Sequence, residues 1–254
     1  MTDLSAFSLD GARVVVTGAN TGIGQGIAVA AARAGAEVIG VARSSMAETV
    51  GLGEEAGGRV IPFHCDLAEP GAASALIDRI SAEHGPLDGL VNNAGIIRRA
   101  DAVELSERDW DEVIDLNLKS AFQLSQGFGR RLLGEKRPGR IVNIASMLSF
   151  QGGIRVASYT ASKHGILGLT RVLANEWAGA GIAVNAVAPG YVVSNNTEAL
   201  RSDPERSAAI LARIPANRWG RPEDIGAAVV FLLAPASGYI NGAVLPVDGG
   251  WLAR

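Results

Sequence analysis

The sequence predicts a doubly wound α/β fold: one domain, about seven parallel strands in a single sheet, helices on both faces. Three observations lead there. Short β-branched runs alternate with longer Ala-rich amphipathic stretches along all 254 residues, the pattern of repeated β-α-β units. The strand-like runs are apolar at consecutive positions rather than alternate ones, as expected of parallel strands covered on both faces. No low-complexity linker, charge run or short repeat offers a boundary, so residues 1–254 read as a single domain of ordinary size.

In chain order, "ARVVVTG" is a strand and "GQGIAVAAARAGA" a helix, followed by the strands "EVIGVAR" and "RVIPFHCD". The helix "ASALIDRISAEHG" leads to the strand "LDGLVNNAG", and "SERDWDEVIDLNLKSAFQLSQGFGRRLL" reads as one long helical segment. The strand "GRIVNIAS", a helix from about Tyr159 to Ala178, and the strands "IAVNAVAPG" and "AVLPVDG" complete the sheet. Between Gly190 and Gly220 the alternation gives way to polar and helical fragments. A long insertion after a strand's carboxyl end is usually functional, and open α/β sheets bind ligands at that edge.

Composition narrows the function. With 48% apolar and 19% charged residues there is ample core material and no sign of disorder. A formal net charge of −3 gives no basic footprint for nucleic acid. Cys65 is the single cysteine and reads as a small buried hydrophobe, which suits a reducing, cytoplasmic setting. The N-terminal stretch "MTDLSAFSLDGARVVVTG" has no basic start followed by a long apolar run, and no window suggests a membrane span. His64, His84 and His164 show no paired spacing, so no catalytic metal is expected. Trp177, Trp219 and Trp251 suit core packing by default, or a pocket or subunit interface.

The first strand runs into "TGANTGIGQG", with Gly18, Gly22 and Gly24 spaced G-x-x-x-G-x-G. Glycines at a strand-to-helix turn let backbone approach a pyrophosphate and aim the helix N-terminus at it, the device of Rossmann-type dinucleotide sites. At the end of the second strand, where an acid would meet an adenosine ribose, stand Ala42 and Arg43. An arginine there favours the 2′-phosphate of NADP, or else stacks on adenine or lies in solvent.

Tyr159 and Lys163 lie four residues apart in a helical segment and so share a face. A unit charge at about 4 Å is worth about 4 kcal/mol at an effective dielectric of 20, or roughly three pKa units at most. A phenol shifted down that far becomes an acid/base near working pH. Ser146 ends the strand "GRIVNIAS" thirteen positions upstream, where its hydroxyl can meet the same substrate oxygen. A tyrosine-lysine pair alone is usually surface decoration; the combination carries the reading.

Taken together, "TGANTGIG", "CDL", "NNAG", "LNLKS", "IVNIAS", "YTASK", "VNAVAPG" and "VDGGW" resemble the short-chain dehydrogenase/reductase family over the whole chain. The resemblance implies an NAD- or NADP-dependent oxidoreductase with Tyr159 as general acid/base, Ser146 orienting the substrate oxygen, Lys163 lowering the tyrosine pKa and binding the nicotinamide ribose, and Asn117 holding a water in the proton relay. It also implies cofactor contacts from Gly18, Asn20, Thr21, Gly22, Ile23 and Gly24. Asp66 and Leu67 would hold the adenine end, and Asn93, Ala94 and Gly95 would wall the middle. Pro189, Gly190, Val192 and Ser194 would meet the nicotinamide, with Ser194 standing where the family usually has threonine. Without that resemblance, Asp66 is a helix cap and "NNAG" a strand-end turn.

The substrate-side loops "NNAGIIRRADAVELSERDWDEVIDLNLKS", "NIASMLSFQGGIRVASYTASK" and "RIPANRWGRPEDI" resemble the family's sugar-acid dehydrogenases of the deoxygluconate type, which are usually NAD-linked. Guanidinium forks suit carboxylates. Arg155 is therefore the first candidate for the substrate carboxylate, Arg98 or Arg99 the second, and Asn195 and Asn196 candidates for hydroxyls. The alternatives are a 3-oxoacyl-carrier-protein reductase on the same scaffold and, from another class, a non-catalytic dinucleotide-binding regulator. The family also implies a homotetramer.

Overall fold

The computed structural model describes residues 4–254, so the first three residues of the N-terminal stretch lie outside the described residues. Seven strands form one parallel sheet in the order β3-β2-β1-β4-β5-β6-β7. They are β1 Arg13–Thr17, β2 Glu37–Ala42, β3 Arg59–His64, β4 Gly89–Asn92, β5 Gly139–Ile144, β6 Ile182–Pro189 and β7 Val244–Val247. The helices are α1 Gly22–Arg33, α2 Ala47–Glu55, α3 Ala72–His84, α4 Glu107–Ile114, α5 Ser120–Glu135, α6 Ala157–Trp177, α7 Glu198–Arg201, α8 Pro204–Leu211 and α9 Pro222–Leu233.

The consecutive apolar runs are explained by a core on each face. In β1, Val14 and Val16 pack with Ile27 and Ala31 of α1 and Ile225 and Val229 of α9. Val15 between them packs on the other side, with Leu76 and Ile80 of α3 and Leu124 and Phe128 of α5. Side chains alternate across a strand, so a strand with helices on both faces needs apolar residues at every position. Parallel pairing sets Val14 opposite Val38 and Val15 opposite Leu90.

The chain order reverses direction between β1 and β4, which opens a crevice at the carboxyl ends of those strands. Two helices escape the simple alternation: α2 is a short, weakly apolar segment, and α9 precedes β7. The long helical segment is also divided. Asp115–Lys119 is a π-turn between α4 and α5, and such a turn inserts one residue per cycle and re-aims the side chains around it. Asn117 lies in that turn, 2% exposed.

Segment 190–220 leaves the sheet after β6, passes a short 3-10 turn at Asn195–Thr197 and then α7 and α8, and returns where Val192 bridges Gly220. An aromatic cluster supports it. Tyr191 meets Trp219 and Trp251 edge-on at 5.5 and 4.9 Å, and the Arg213 guanidinium covers Trp251 at 4.0 Å. Trp177 instead packs over Gly129 of α5.

Candidate active site

A cleft of about 480 Å³ lies at the carboxyl edge of the sheet where β1 and β4 part. Its floor is the turn from β1 into α1. Gly18 and Gly22 adopt φ of +66° and +55°, conformations that L side chains avoid. A Cβ on Gly24 would press into the Gly18 carbonyl and lie 2.5 Å from Asn93 Nδ2. No side chain caps α1, so its first N–H groups and dipole point into the cleft, an arrangement that attracts anions.

Thr17 ties this turn to the next wall. It is 1% exposed, its hydroxyl donates to the Val91 carbonyl at 3.2 Å, and it accepts the N–H groups of Asn93 and Ala94, each at 3.0 Å. Asn93 Nδ2 donates to the Thr17 carbonyl at 2.8 Å. A hydroxyl ending the run "VVVT" is the signal for this role that the motif reading passed over.

At the adenosine end, Asn20 Nδ2 donates to Ser44 Oγ at 2.9 Å. Arg43 is largely exposed, with its nearest acid, Asp66, 3.8 Å away. Asp66 also accepts the Ala68 N–H at 3.0 Å in a local turn within the cleft, while the N-cap of α3 is Gly71, so Asp66 is not that helix's cap. Cys65 lines the same end, and burial pushes its thiol pKa up, as for an inert buried thiol.

Asn117 is locked by its amide. Its Oδ1 accepts the Ile96 N–H at 2.8 Å, and its Nδ2 donates to the Ile96 carbonyl at 2.9 Å and to Ser162 Oγ at 3.2 Å. Gly95 makes room, since a Cβ there would lie 3.0 Å from Asn117 Oδ1.

Ser146, Tyr159 and Lys163 meet where β5 ends against α6. The Ser146 hydroxyl accepts the Leu148 N–H at 3.1 Å and lies near enough to the Tyr159 phenol to favour its ionised form. Lys163 is 5% exposed; its Nζ donates to the Ile144 carbonyl at 2.7 Å and sits 5.6 Å from the Tyr159 ring centroid. The electrostatics depart from the expectation of a lowered phenol pKa. Burial dominates and raises the Tyr159 pKa, while the Ser146 hydroxyl and the Arg99 guanidinium pull it back. The lysine itself is pushed down to about 8 by burial, so it is a weakened cation in this protein environment.

Every residue expected at the dinucleotide lines this cleft, as do Asn195 and Asn196. The arginines separate. Arg98 turns to α4, where it holds Glu112 at 2.8 Å and Asp109 at 3.4 Å. Arg155, at φ +63°, pairs with Asp101 at 3.2 Å. Neither guanidinium is among the residues lining the cleft, and each sits in a solvent-exposed ion pair beside it. Arg99 instead donates to the Asn196 carbonyl at 2.8 Å and acts on the Tyr159 phenol. Among the described residues no cluster of His, Cys, Asp and Glu is placed to hold a metal ion.

Comparison with known proteins agrees with this geometry. Residues 18–252 match the family described as enoyl-(acyl carrier protein) reductase. The chain is 54% identical to the 2-dehydro-3-deoxy-D-gluconate 5-dehydrogenase of Escherichia coli K12, over 99% of each chain. It superposes with a TM-score of 0.94 on a crystal structure of a candidate 2-deoxy-D-gluconate 3-dehydrogenase from Agrobacterium tumefaciens with bound NADP, at 59% identity, covering 98% of this chain and 99% of that one. A gluconate 5-dehydrogenase from Burkholderia cenocepacia, in complex with NADP and tartrate, superposes at 0.93 with 35% identity and 99% coverage of both. With the glycine-rich turn, the Ser146–Tyr159–Lys163 cluster and full-length relatives in agreement, the chain belongs to the short-chain dehydrogenase/reductase family.

Proposed function

We propose that this protein is an NADP-preferring oxidoreductase that interconverts a secondary alcohol and ketone on a deoxy sugar acid, of the 2-dehydro-3-deoxy-D-gluconate 5-dehydrogenase type. One observation carries the reading: a dinucleotide cradle and a serine-tyrosine pair open into the same cleft. The residues fit the cofactor, because a turn with no room for a Cβ at Gly24 and little at Gly18 leads into an uncapped helix N-terminus suited to a pyrophosphate. Bound there, the nicotinamide supplies the hydride acceptor or donor.

The chain's own residues handle the oxygen and its proton. Ser146 holds the substrate oxygen beside the phenol, and Tyr159 takes the proton from the alcohol or returns it to the ketone. Lys163 steadies the phenolate and reaches the nicotinamide ribose. Asn117 braces the wall through Ile96 and takes part in proton relay. Arg43, with no acid at Ala42, receives the 2′-phosphate, a preference supported by the NADP in the A. tumefaciens and B. cenocepacia structures. Arg99 holds the substrate carboxylate, with Asn195 and Asn196 at its hydroxyls and segment 190–220 as the substrate loop of a single domain. The exposed apolar Phe122 and Leu133 of α5 and Val172 of α6 suit the family's tetramer, which light scattering tests. No described helix is long and apolar enough to cross a membrane, and our reading of a cytoplasmic protein rests on the lone cysteine.

The test mixes purified protein with 2-dehydro-3-deoxy-D-gluconate and NADP or NAD in separate cuvettes and follows the reduced nicotinamide. Reduction of NADP at the sugar acid is the expected result. Turnover of acetoacetyl thioester with NADPH and none of the sugar acid would replace the substrate class. Cofactor binding with no turnover of either would replace the enzyme by a regulator.

A further inference from the structure

Two serines with no place in the chemistry so far join its members in pairs. Ser149, 3% exposed, ends the 3-10 turn Met147–Ser149 that follows β5. Its hydroxyl accepts the Ser146 backbone N–H at 3.2 Å and donates to the Lys163 carbonyl at 2.6 Å. Ser162, wholly buried in α6, accepts from Asn117 Nδ2 at 3.2 Å and donates to the Tyr159 carbonyl at 2.7 Å.

Each hydroxyl is thus used in both senses, as acceptor and as donor. Ser149 bridges the end of β5 to α6; Ser162 bridges the π-turn to α6. The four residues of the proposed chemistry come from three separate elements, and packing of apolar side chains alone places such elements less exactly than hydrogen bonds with fixed direction. Both bridges end on backbone atoms on the α6 side and leave the phenol, the ammonium and the Ser146 hydroxyl free for reaction.

We propose that Ser149 and Ser162 are positioning residues that hold Ser146 and Tyr159 in register for proton transfer, an inference that rests on the function proposed above. Neither serine touches the turn at Gly18–Gly24 or the adenosine end, and each donates only to the backbone of α6, so their loss acts mainly on turnover and leaves the pyrophosphate and adenosine contacts that carry most of NADPH affinity in place. A displacement of about 1 Å costs on the order of 100-fold in rate. Removal of one bridge, with the other kept, is expected to lower kcat about tenfold.

The experiment compares wild type, Ser149→Ala, Ser162→Ala, Ser149→Thr and Tyr159→Phe. For each it measures kcat and KM with NADP and 2-dehydro-3-deoxy-D-gluconate, NADPH affinity by fluorescence, and the thermal midpoint. The expected result is a fall in kcat for both alanine variants with NADPH affinity unchanged, and recovery of most of kcat in Ser149→Thr, which keeps the hydroxyl. Alanine variants with wild-type kcat per folded enzyme would overturn the inference, whatever their thermal midpoint. Turnover retained by Tyr159→Phe would instead overturn the function on which it rests. A dead Tyr159→Phe beside fully active alanine variants would sink the positioning role alone.

Discussion

Lys163 should make the protein more stable as the solution turns mildly alkaline, because its ammonium is buried with a carbonyl and no carboxylate for company. Burial is the cause that lowers its pKa from 10.5 to about 8, and the Ile144 carbonyl at 2.7 Å offsets only part of the lost hydration. Below pH 8 the lysine is protonated in both the folded and unfolded chains, and the folded state carries the full cost of the buried charge. As pH rises through about 8, the folded chain releases the proton while the unfolded chain keeps it up to about 10.5. The unfolded state then binds more protons, so stability rises with pH. Between about pH 7 and about pH 9.5 the gain is roughly 2 kcal/mol. Urea unfolding of the cofactor-free protein at those two pH values, for wild type and Lys163→Met, measures it. The comparison cancels the other titrating groups. Tyr159 and Tyr191, whose pKa values burial raises, act with the opposite sign and only above their ordinary value of 10. Wild type is expected to gain stability relative to Lys163→Met over this interval. Parallel pH dependence in the two proteins would refute the reasoning.

Further outcomes follow from the cleft. Gly24→Ala drives a methyl into the Gly18 carbonyl and Asn93; overpacking of this kind costs about 1–3 kcal/mol, and the variant should lose both thermal midpoint and NADPH affinity. Wild-type affinity in Gly24→Ala would show that the turn is no cofactor cradle. Arg99→Ala should raise the KM for a sugar acid on the order of tenfold to a hundredfold, as expected for a charge-assisted contact worth about 1.5–3 kcal/mol. Arg98→Ala and Arg155→Ala, whose guanidiniums are held by Glu112 and Asp101, should leave that KM near wild type. Steady-state kinetics on the three variants decides which arginine serves the substrate.

The pattern of residues along the chain determined the sheet, the dinucleotide turn and the serine-tyrosine-lysine set. Each is local: a run of consecutive β-branched residues is a doubly covered strand wherever it lies, glycines next to a strand make a turn, and a spacing of four residues on a helix sets Tyr159 and Lys163 on one face. What needed the tertiary structure were properties set by residues distant in sequence. Adjacent arginines look alike on paper, yet Arg98 faces Glu112 fourteen positions away and Arg99 meets Asn196 ninety-seven positions away. The π-turn at Asn117 was hidden because its residues suit an ordinary helix as well. Thr17, Ser149 and Ser162 are common residue types whose importance lies only in which backbone groups they reach. The direction of the Tyr159 pKa shift was decided the same way. A charge four residues off is a local fact, whereas desolvation is imposed by everything packed around the ring, and in this fold desolvation is the larger effect.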